Sequence, residues 1–501
     1  MARLSGPKRR EKQKKIRAKN SNASDIRSIK ITSNKKGKKV DVSTSTVRLQ
    51  YYESILQDAL QVSVAFVDSG NSVRDGLKKK TVVEGLPIVP NGKENVLLKF
   101  FDNSDEVIEL TMYLNDYDVL STDSTKELVT LQLCSKEFLT NEDVRINERF
   151  DGPISEHVKL IITDEKYLNS DKDIDIEDTQ GDTNFTGRNK KCFFTLNKLA
   201  QKSVPEGAPK GNSAGFFFFE TSEGFIFKSI DSFFGQEAKK AFIFNQTPDM
   251  GGESIPEGYD GKALTYELNN KVNAQKKKMM GAYKTRIITF DPSPASGAKP
   301  YKVSYIDSKG KEIKTGGKEL PKLNEEFEKD NQFTRTVYKV KDTGSLPAGG
   351  GTGKEQEQLK KSGDENLEIE KVVNQSIMRY NQLFATMTTI TVPGDFTLHA
   401  GDAIWVDSVS KQQEVCADDV DKKSGGLYII ADLCHYLSQK QTFTKLNLIR
   451  DSTGRDASKR KRAISSTTSK PAKSETAPDV ISSFSKRRNA RRGGKYSKVV
   501  K

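Results

Sequence analysis

The chain is 501 residues long, 34 % apolar and 30 % charged, with 82 Lys and Arg against 68 Asp and Glu. This length holds about two to four compact units with real cores, and the charge content leaves part of the chain outside them. The longest unbroken apolar run, residues 427–431 (LYIIA), is far short of the roughly 20 residues of a bilayer helix, so no transmembrane helix is expected. The first twenty residues are rich in charge and hold no apolar stretch, which argues against a secretory signal.

The net charge of +14 conceals its distribution. Residues 1–40 carry fifteen Lys or Arg and two acids, a net of +13. Residues 451–501 carry fifteen and four, a net of +11, which leaves −10 for residues 41–450. The sequence reads as an acidic body with two basic tails.

In chain order, residues 1–43 show no apolar periodicity and are expected to lack order in isolation, with order beginning near Val47. Residues 51–68 (YYESILQDALQVSVAFVD) contain a half-buried strand, where Val62, Val64 and Phe66 alternate with Gln61, Ser63 and Ala65. Short strands are predicted at 81–83, 95–101, 107–114 and 126–134, separated by turn signals such as Pro90-Asn91-Gly92. That spacing indicates a barrel or sandwich, not alternating βαβ units. Helices are predicted over 154–167 and 190–204, with an acidic linker over 170–181 between them. The most hydrophobic ribbon, residues 215–227 (GFFFFETSEGFIF), reads as two strands around a Ser-Glu-Gly turn. Its four consecutive aromatics suggest a strand buried on both faces, although an aromatic base-stacking surface is the competing reading.

Further strands are predicted at 241–244, 286–290 and 302–306, and residues 342–368 are a composition break. A helix then runs to about Thr386, with Val373, Ile377, Tyr380, Phe384 and Met387 in one apolar stripe. Strands resume at 389–392, 396–398, 404–406, 427–431 and 443–449, and the chain is polar and basic beyond Arg450.

Motifs for chemistry are weak. GGGTGK at 349–354 has Ala348 at the first glycine position of a phosphate loop and Glu355 at the Ser/Thr position, so it reads as linker. Asp171, Asp173 and Asp175 have calcium-loop spacing, but Ile176 stands where the loop needs glycine and Asp182 where it needs Glu. Asn184-Phe185-Thr186 is a glycosylation sequon by pattern only. Cys134, Cys192, Cys416 and Cys434 form no C-x-x-C pair, which suggests isolated thiols in a reducing compartment. His157, His399 and His435 lie in three different contexts and read as strand or surface positions. No catalytic, cofactor or metal residue is assigned, and no enzyme is expected. The basic tails suit phosphate contacts, docking on an acidic protein surface, or simple solubilisation, and the sequence does not separate these.

Several passages carry a family resemblance. Residues 389–406 (TITVPGDFTLHAGDAIWV), 424–436 (SGGLYIIADLCHY) and 442–451 (TFTKLNLIRD) resemble the strand–PGD–strand–GD–strand end of phage tail hub proteins. Residues 51–55 (YYESI) with 62–68, and the ribbon 216–229, look like the baseplate central hub protein of contractile-tailed, T4-type bacteriophages. The similarity spans roughly residues 44–452 in the expected order, and the basic tails depart from the pattern.

The resemblance implies a mainly β fold with α+β parts: two tail-tube-like β-barrels with intervening α/β domains. The divisions expected are a basic N-terminal tail (1–43), a first barrel domain with a short helix (44–165) and a mixed α/β region (166–345) that completes either barrel. A linker (346–370), a helix with second-barrel strands (371–453) and a basic C-terminal tail (454–501) follow. The barrel strands proper are expected in 44–135 and 387–450, with 389–406 forming a three-strand meander. It further implies a homotrimeric virion protein of the tail baseplate, made in the host cytoplasm. Its implied partners are the central spike, tail tube or tube-initiator, baseplate wedge and tape-measure proteins. Deleting both tails is expected to leave residues 44–452 folded and to impair tail assembly. The alternative is a nucleic-acid-associated protein whose basic tails act on a β-rich scaffold, with DNA as their partner.

Overall fold

The structure, a computed structural model, describes residues 25–34, 38–70, 72–75, 78–86, 94–101, 106–122, 126–207, 214–244, 258–269, 274–290, 301–307, 313–320, 335–340, 369–408, 420–421, 423–438 and 441–456. The GGGTGK stretch, Cys416, most of the 346–370 linker and the tail beyond Asp456 lie outside them.

Order begins well before Val47. Asp25–Thr32 (β1) and Lys39–Asp41 (β2) pair antiparallel, followed by Thr46–Ser54 (β3) and Gln61–Asp68 (β4). The small hairpin Val73–Asp75 (β5) and Lys78–Lys80 (β6) leads to the helical turn Val82–Gly85 (α1). Asn95–Phe101 (β7), Val107–Thr122 (β8) and Glu127–Cys134 (β9) complete this region. β1 runs antiparallel to β7, and a bulge between Ile26 and Ser28 keeps Ile26 on the same face as the fully buried Ile29 and Ile31. The expectation of no order over residues 1–43 is therefore corrected for 25–34 and 38–41: three isoleucines on one face outweigh the local basic charge, each buried side chain contributing about 1.5–3 kcal/mol. The strand predicted at 81–83 is also corrected. Thr81 Oγ1 accepts from the Glu84 amide at 3.3 Å, an N-cap that turns Val82 into a helix start.

The middle of the chain opens with Lys136–Asp143 (α2), Arg149–Phe150 (β10) and Ile154–Thr163 (α3). Ile174–Ile176 (β11), Phe185–Thr186 (β12) and Cys192–Ala200 (α4) come next, then Phe216–Thr221 (β13), Gly224–Ser229 (β14) and Ile230–Gly235 (α5). β13 and β14 form the predicted hairpin, with Phe216 opposite Ser229 and Thr221 opposite Gly224. Phe216 and Phe218 face one core with Phe225 and Phe227, while Phe217 and Phe219 face a second with Phe233 and Trp405. A strand buried on both faces offers no base-stacking surface. The acidic segment 170–181 is not a plain linker, because β11 pairs parallel with β14 and Ile174 and Ile176 pack on the first of these cores. Gly224 makes that approach possible: its φ is +134°, and a Cβ there would lie 2.1 Å from the Asp173 carbonyl oxygen.

Lys240–Phe244 (β15), Gly261–Lys262 (β16) and Thr265–Leu268 (β17) precede Ala274–Met280 (α6). Lys284–Phe290 (β18), Tyr301–Asp307 (β19) and Arg335–Val340 (β20) make a separate three-stranded sheet in the order β19-β18-β20. The last helix, Ile369–Leu383 (α7), leads into Thr386–Pro393 (β21), Ala403–Ser408 (β22), Gly426–Ser438 (β23) and Thr442–Arg450 (β24). Met387, placed on the helical stripe by spacing, instead sits exposed on β21. No described helix is long and apolar enough to cross a membrane.

β21 pairs with β24, β24 with β23 and β23 with β22, all antiparallel, which is a Greek key. The expected meander over 389–406 is thus corrected. Residues 396–398 form a turn in which the Asp395 carboxylate accepts from the Thr397 amide at 3.1 Å and its hydroxyl at 2.6 Å. β15 joins β22 in parallel and β17 joins β21, so middle-region strands extend the C-terminal half.

The two β-rich regions meet directly. β23 pairs with β3 over seven residue pairs, from Asp432 opposite Ser54 to Ser438 opposite Arg48. One 14-stranded sheet results, running β16-β15-β22-β23-β3-β4-β9-β8-β7-β1-β2 with β24, β21 and β17 beside β23. Its path is open among the described residues, where two closed barrels are expected from the resemblance. Both halves bury a common core, from Ile29, Leu49 and Val64 to Ile404, Ile430 and Leu448.

Candidate functional site

The β3–β23 joint is also where distant polar groups converge. Tyr51 and Glu53 alternate on β3 and so point to the same side. The buried Glu53 carboxylate accepts from the Tyr51 hydroxyl, the Ser222 amide (3.0 Å), His399 Nδ1 (3.2 Å) and the Ala400 amide (2.8 Å). Ser222 sits in the turn between β13 and β14, and His399 and Ala400 lie in the loop from β21 to β22. One carboxylate therefore ties three parts of the chain together.

Rings close the other side. Tyr51 stacks on His435 of β23 at 5.7 Å, and His435 meets Phe396 at 4.7 Å between ring centres. His435 Nδ1 lies 2.8 Å from Thr444 Oγ1 on β24. Gly401 seals the loop against the ribbon: with φ +85°, a Cβ there would fall 2.8 Å from Phe219 Cζ and 3.0 Å from Phe233 Cε1.

The charges follow from this geometry. Burial works to raise the Glu53 carboxyl, but His399, Tyr51 and the Ala400 amide outweigh it and leave it below the usual carboxylate value. For His399 burial works downward, and the bond and charge of Glu53 raise it above its ordinary 6.5. His435 is pushed down to about 4, chiefly by burial, and stays neutral.

These directions fix a pH response. The stability His399 contributes is complete below pH 6.5 and is lost as pH rises through its raised folded value. The contribution of Glu53 is complete above 4.5 and is lost as pH falls through its lowered value. His435, with its folded value depressed, withdraws stability as pH falls from 6.5 toward 4, so the alkaline limb isolates the clamp. Unfolding midpoints followed upward from pH 6.5 are expected to decline in the wild type more than in His399→Gln. Parallel decline in the two proteins would remove His399 from the clamp.

Two further buried networks tie other distant parts of the chain together. Lys172 Nζ bridges Glu137 Oε2, at 2.6 Å, and Glu220 Oε1, while Glu220 Oε2 accepts from the Leu60 amide at 3.0 Å. Burial raises the Glu220 carboxyl, and for Lys172 the two carboxylates overcome burial and raise it. Arg379 of α7 is fully buried and reaches Asp451 Oδ2 and Asp231 Oδ1, both at 2.9 Å, and the Lys314 carbonyl at 3.1 Å.

The sequence assigns no site residues, and the structure adds some. His399 and His435 come together around Glu53, whereas His157 packs on Phe150 and Phe185 in a separate core. The signal for Glu53 was present in YYES, where an acid follows a tyrosine on the inward face. Lys172 is likewise the lone base in SDKDIDIED. Cys134, Cys192 and Cys434 have thiols pushed up to about 12, 11 and 11 by burial. Among the described residues, no group of three or more His, Cys, Asp or Glu could hold a metal ion.

No protein-family model and no curated protein matches the chain. Solved structures do. The tail protein from Neisseria meningitidis MC58 has a TM-score of 0.48 at 8 % identity, covering 85 % of this chain and 96 % of that one. The 43 kDa tail protein of prophage MuSo2 from Shewanella oneidensis scores 0.48 at 9 % identity, covering 85 % and 99 %. Prophage tail protein gp18 from Listeria monocytogenes EGD-e scores 0.42 at 9 % identity, covering 93 % and 100 %. These three neighbours are described as tail proteins, two of them of prophages. All three scores lie below 0.5, and the functional reading below stands on this chain's own residues.

Proposed function

We propose that the chain is a structural component of a phage tail baseplate, the central hub that joins the tail tube to the spike. The observation that supports this most is the convergence at Glu53. The passages that resemble hub proteins are spread from Tyr51 to Asp451, yet β3, the β13–β14 turn, the 393–402 loop and β23 meet around one carboxylate. A hub must hold two tube-like units in a fixed relation. Seven paired residues between β3 and β23, with a buried charged clamp beside them, provide such a fixed joint.

In this reading the half built on β3, β4 and β7–β9 and the half built on β21–β24 each stand for one unit of a sixfold tube. Three chains then supply six units and match a threefold spike, with heterologous contacts closing the ring. Spike, tube or tube-initiator, wedge and tape-measure proteins are its neighbours in the virion. The role is structural, and the buried charges at the joint are engaged with protein partners.

Phage carrying an early stop in this chain's gene are expected to make heads without attached tails, restored by the wild-type chain in trans. Infectious particles with normal tails in the stop mutant would overturn the proposal.

A further inference from the structure

The N-terminal basic tail joins the body beside a cleft. The 24 residues before Asp25 carry nine Lys or Arg and one acid. They lead into β1, where Asp25 lies opposite Phe101 of β7, and Phe101 lies opposite Val107 of β8. Two strand spacings put the start of β1 about 10 Å from Val107. Arg27, the first cation of β1, has its guanidinium 4.2 Å from the centre of the Phe101 ring.

Val107 lines one wall of a cleft of about 480 Å3. The first residues of β8, the turn between β13 and β14, Lys239 and the 396–399 segment enclose it. Val107, Leu110 and Phe396 give it an apolar side, and Glu109 and Glu223 add carboxylates. Glu109 is 50 % exposed and pairs with Lys99, while Glu223 is 75 % exposed with its Oε1 3.5 Å from His399 Nε2. Exposed pairs of this kind contribute little, so an incoming cation joins or replaces them at small cost. The lysine of the cleft itself, Lys239, is held by Asp402 at 2.8 Å.

The tail sequence matches this lining. Residues 12–19 (KQKKIRAK) hold one large apolar side chain, Ile16, among five cations. Ile16 precedes Asp25 by nine residues, a reach of up to about 30 Å against about 10 Å to Val107. Tethering by so short a stretch gives the segment a local concentration on the order of millimolar, so weak contacts suffice. We infer that residues 12–19 dock in this cleft of their own chain, with Ile16 against Val107, Leu110 and Phe396 and the flanking cations on Glu109 and Glu223. Ser222 and His399 belong to both the cleft and the Glu53 joint, so the docked tail lies against that joint. The inference does not depend on the hub reading.

A water-soluble carbodiimide, which joins a lysine to a carboxylate only where the two touch, tests this on the full-length protein. Isotope-labelled and unlabelled chains are first diluted together, so that any assembled chains exchange. Coupled peptides are expected to join Lys12, Lys14, Lys15 or Lys19 to Glu109 or Glu223, and to carry one isotope only. Their yield should exceed that at the exposed Asp171, Asp173 and Asp178. Ile16→Ser is expected to cut the yield at least about threefold while the unfolding midpoint of the body stays unchanged. Peptides of mixed isotope would place the tail in a second copy of the chain. Coupling spread evenly over the exposed acids, or unchanged in Ile16→Ser, would reduce it to a non-specific charge effect. Either result, or no coupling of the tail at all, would overturn the inference.

Discussion

Glu53→Gln is expected to lower the unfolding free energy by about 3–5 kcal/mol, the usual cost of removing one partner from a buried ion pair. The carboxylate is fully buried and accepts from Tyr51, Ser222, His399 and Ala400. The amide would turn an NH2 toward some of the four donors that now point at the carboxylate. It would also remove the buried counter-charge nearest His399, leaving the exposed Glu223, 3.5 Å from Nε2, and Asp402. His399→Gln alone should cost less, because three neutral donors to Glu53 remain. The double variant should cost less than the two singles added together, since the second change removes a group already orphaned. Trp405, the single tryptophan, is fully buried and gives the fluorescence readout for denaturant midpoints. Strict additivity of the two changes would show that the residues do not act as a clamp.

Arg379→Met should be about as severe, near 3–5 kcal/mol. The guanidinium is the only cation bound to the fully buried Asp451 among the ion pairs of the described residues. Asp451 keeps neutral donors from the Gly316 amide at 3.0 Å and the Ser452 hydroxyl at 2.7 Å, which do not cancel its charge. Adding Asp451→Asn to Arg379→Met should therefore recover much of the loss, a compensation that a packing defect alone would not show. Arg379→Lys should recover little, because one ammonium cannot reproduce the fork to Asp231, Asp451 and the Lys314 carbonyl.

Local patterning made several elements legible. The alternation and turn of residues 216–229 mark the hairpin, and the four-phenylalanine run implies burial on both faces, as the structure shows. The stripe through Val373, Ile377 and Tyr380 marked α7, though Met387 belongs to the strand that follows it. What stayed hidden was either masked by composition or non-local. β1 is three isoleucines inside a basic segment, where charge dominates any window average. The 396–398 segment looks apolar, but Asp395 captures the Thr397 amide and hydroxyl and turns the chain. The joint is the extreme case. Ser54 Oγ donates to Asp432 Oδ1 at 2.6 Å across 378 residues, a pairing no periodicity can reveal.

The central claim is tested most directly by a symmetry-free reconstruction of the assembled tail, with the chain located through its own side-chain density. The account predicts three copies on the tail axis between tube and spike, each offering its two sheet halves to the ring beneath the tube. Two or six copies per baseplate, or a position away from the axis, would contradict it.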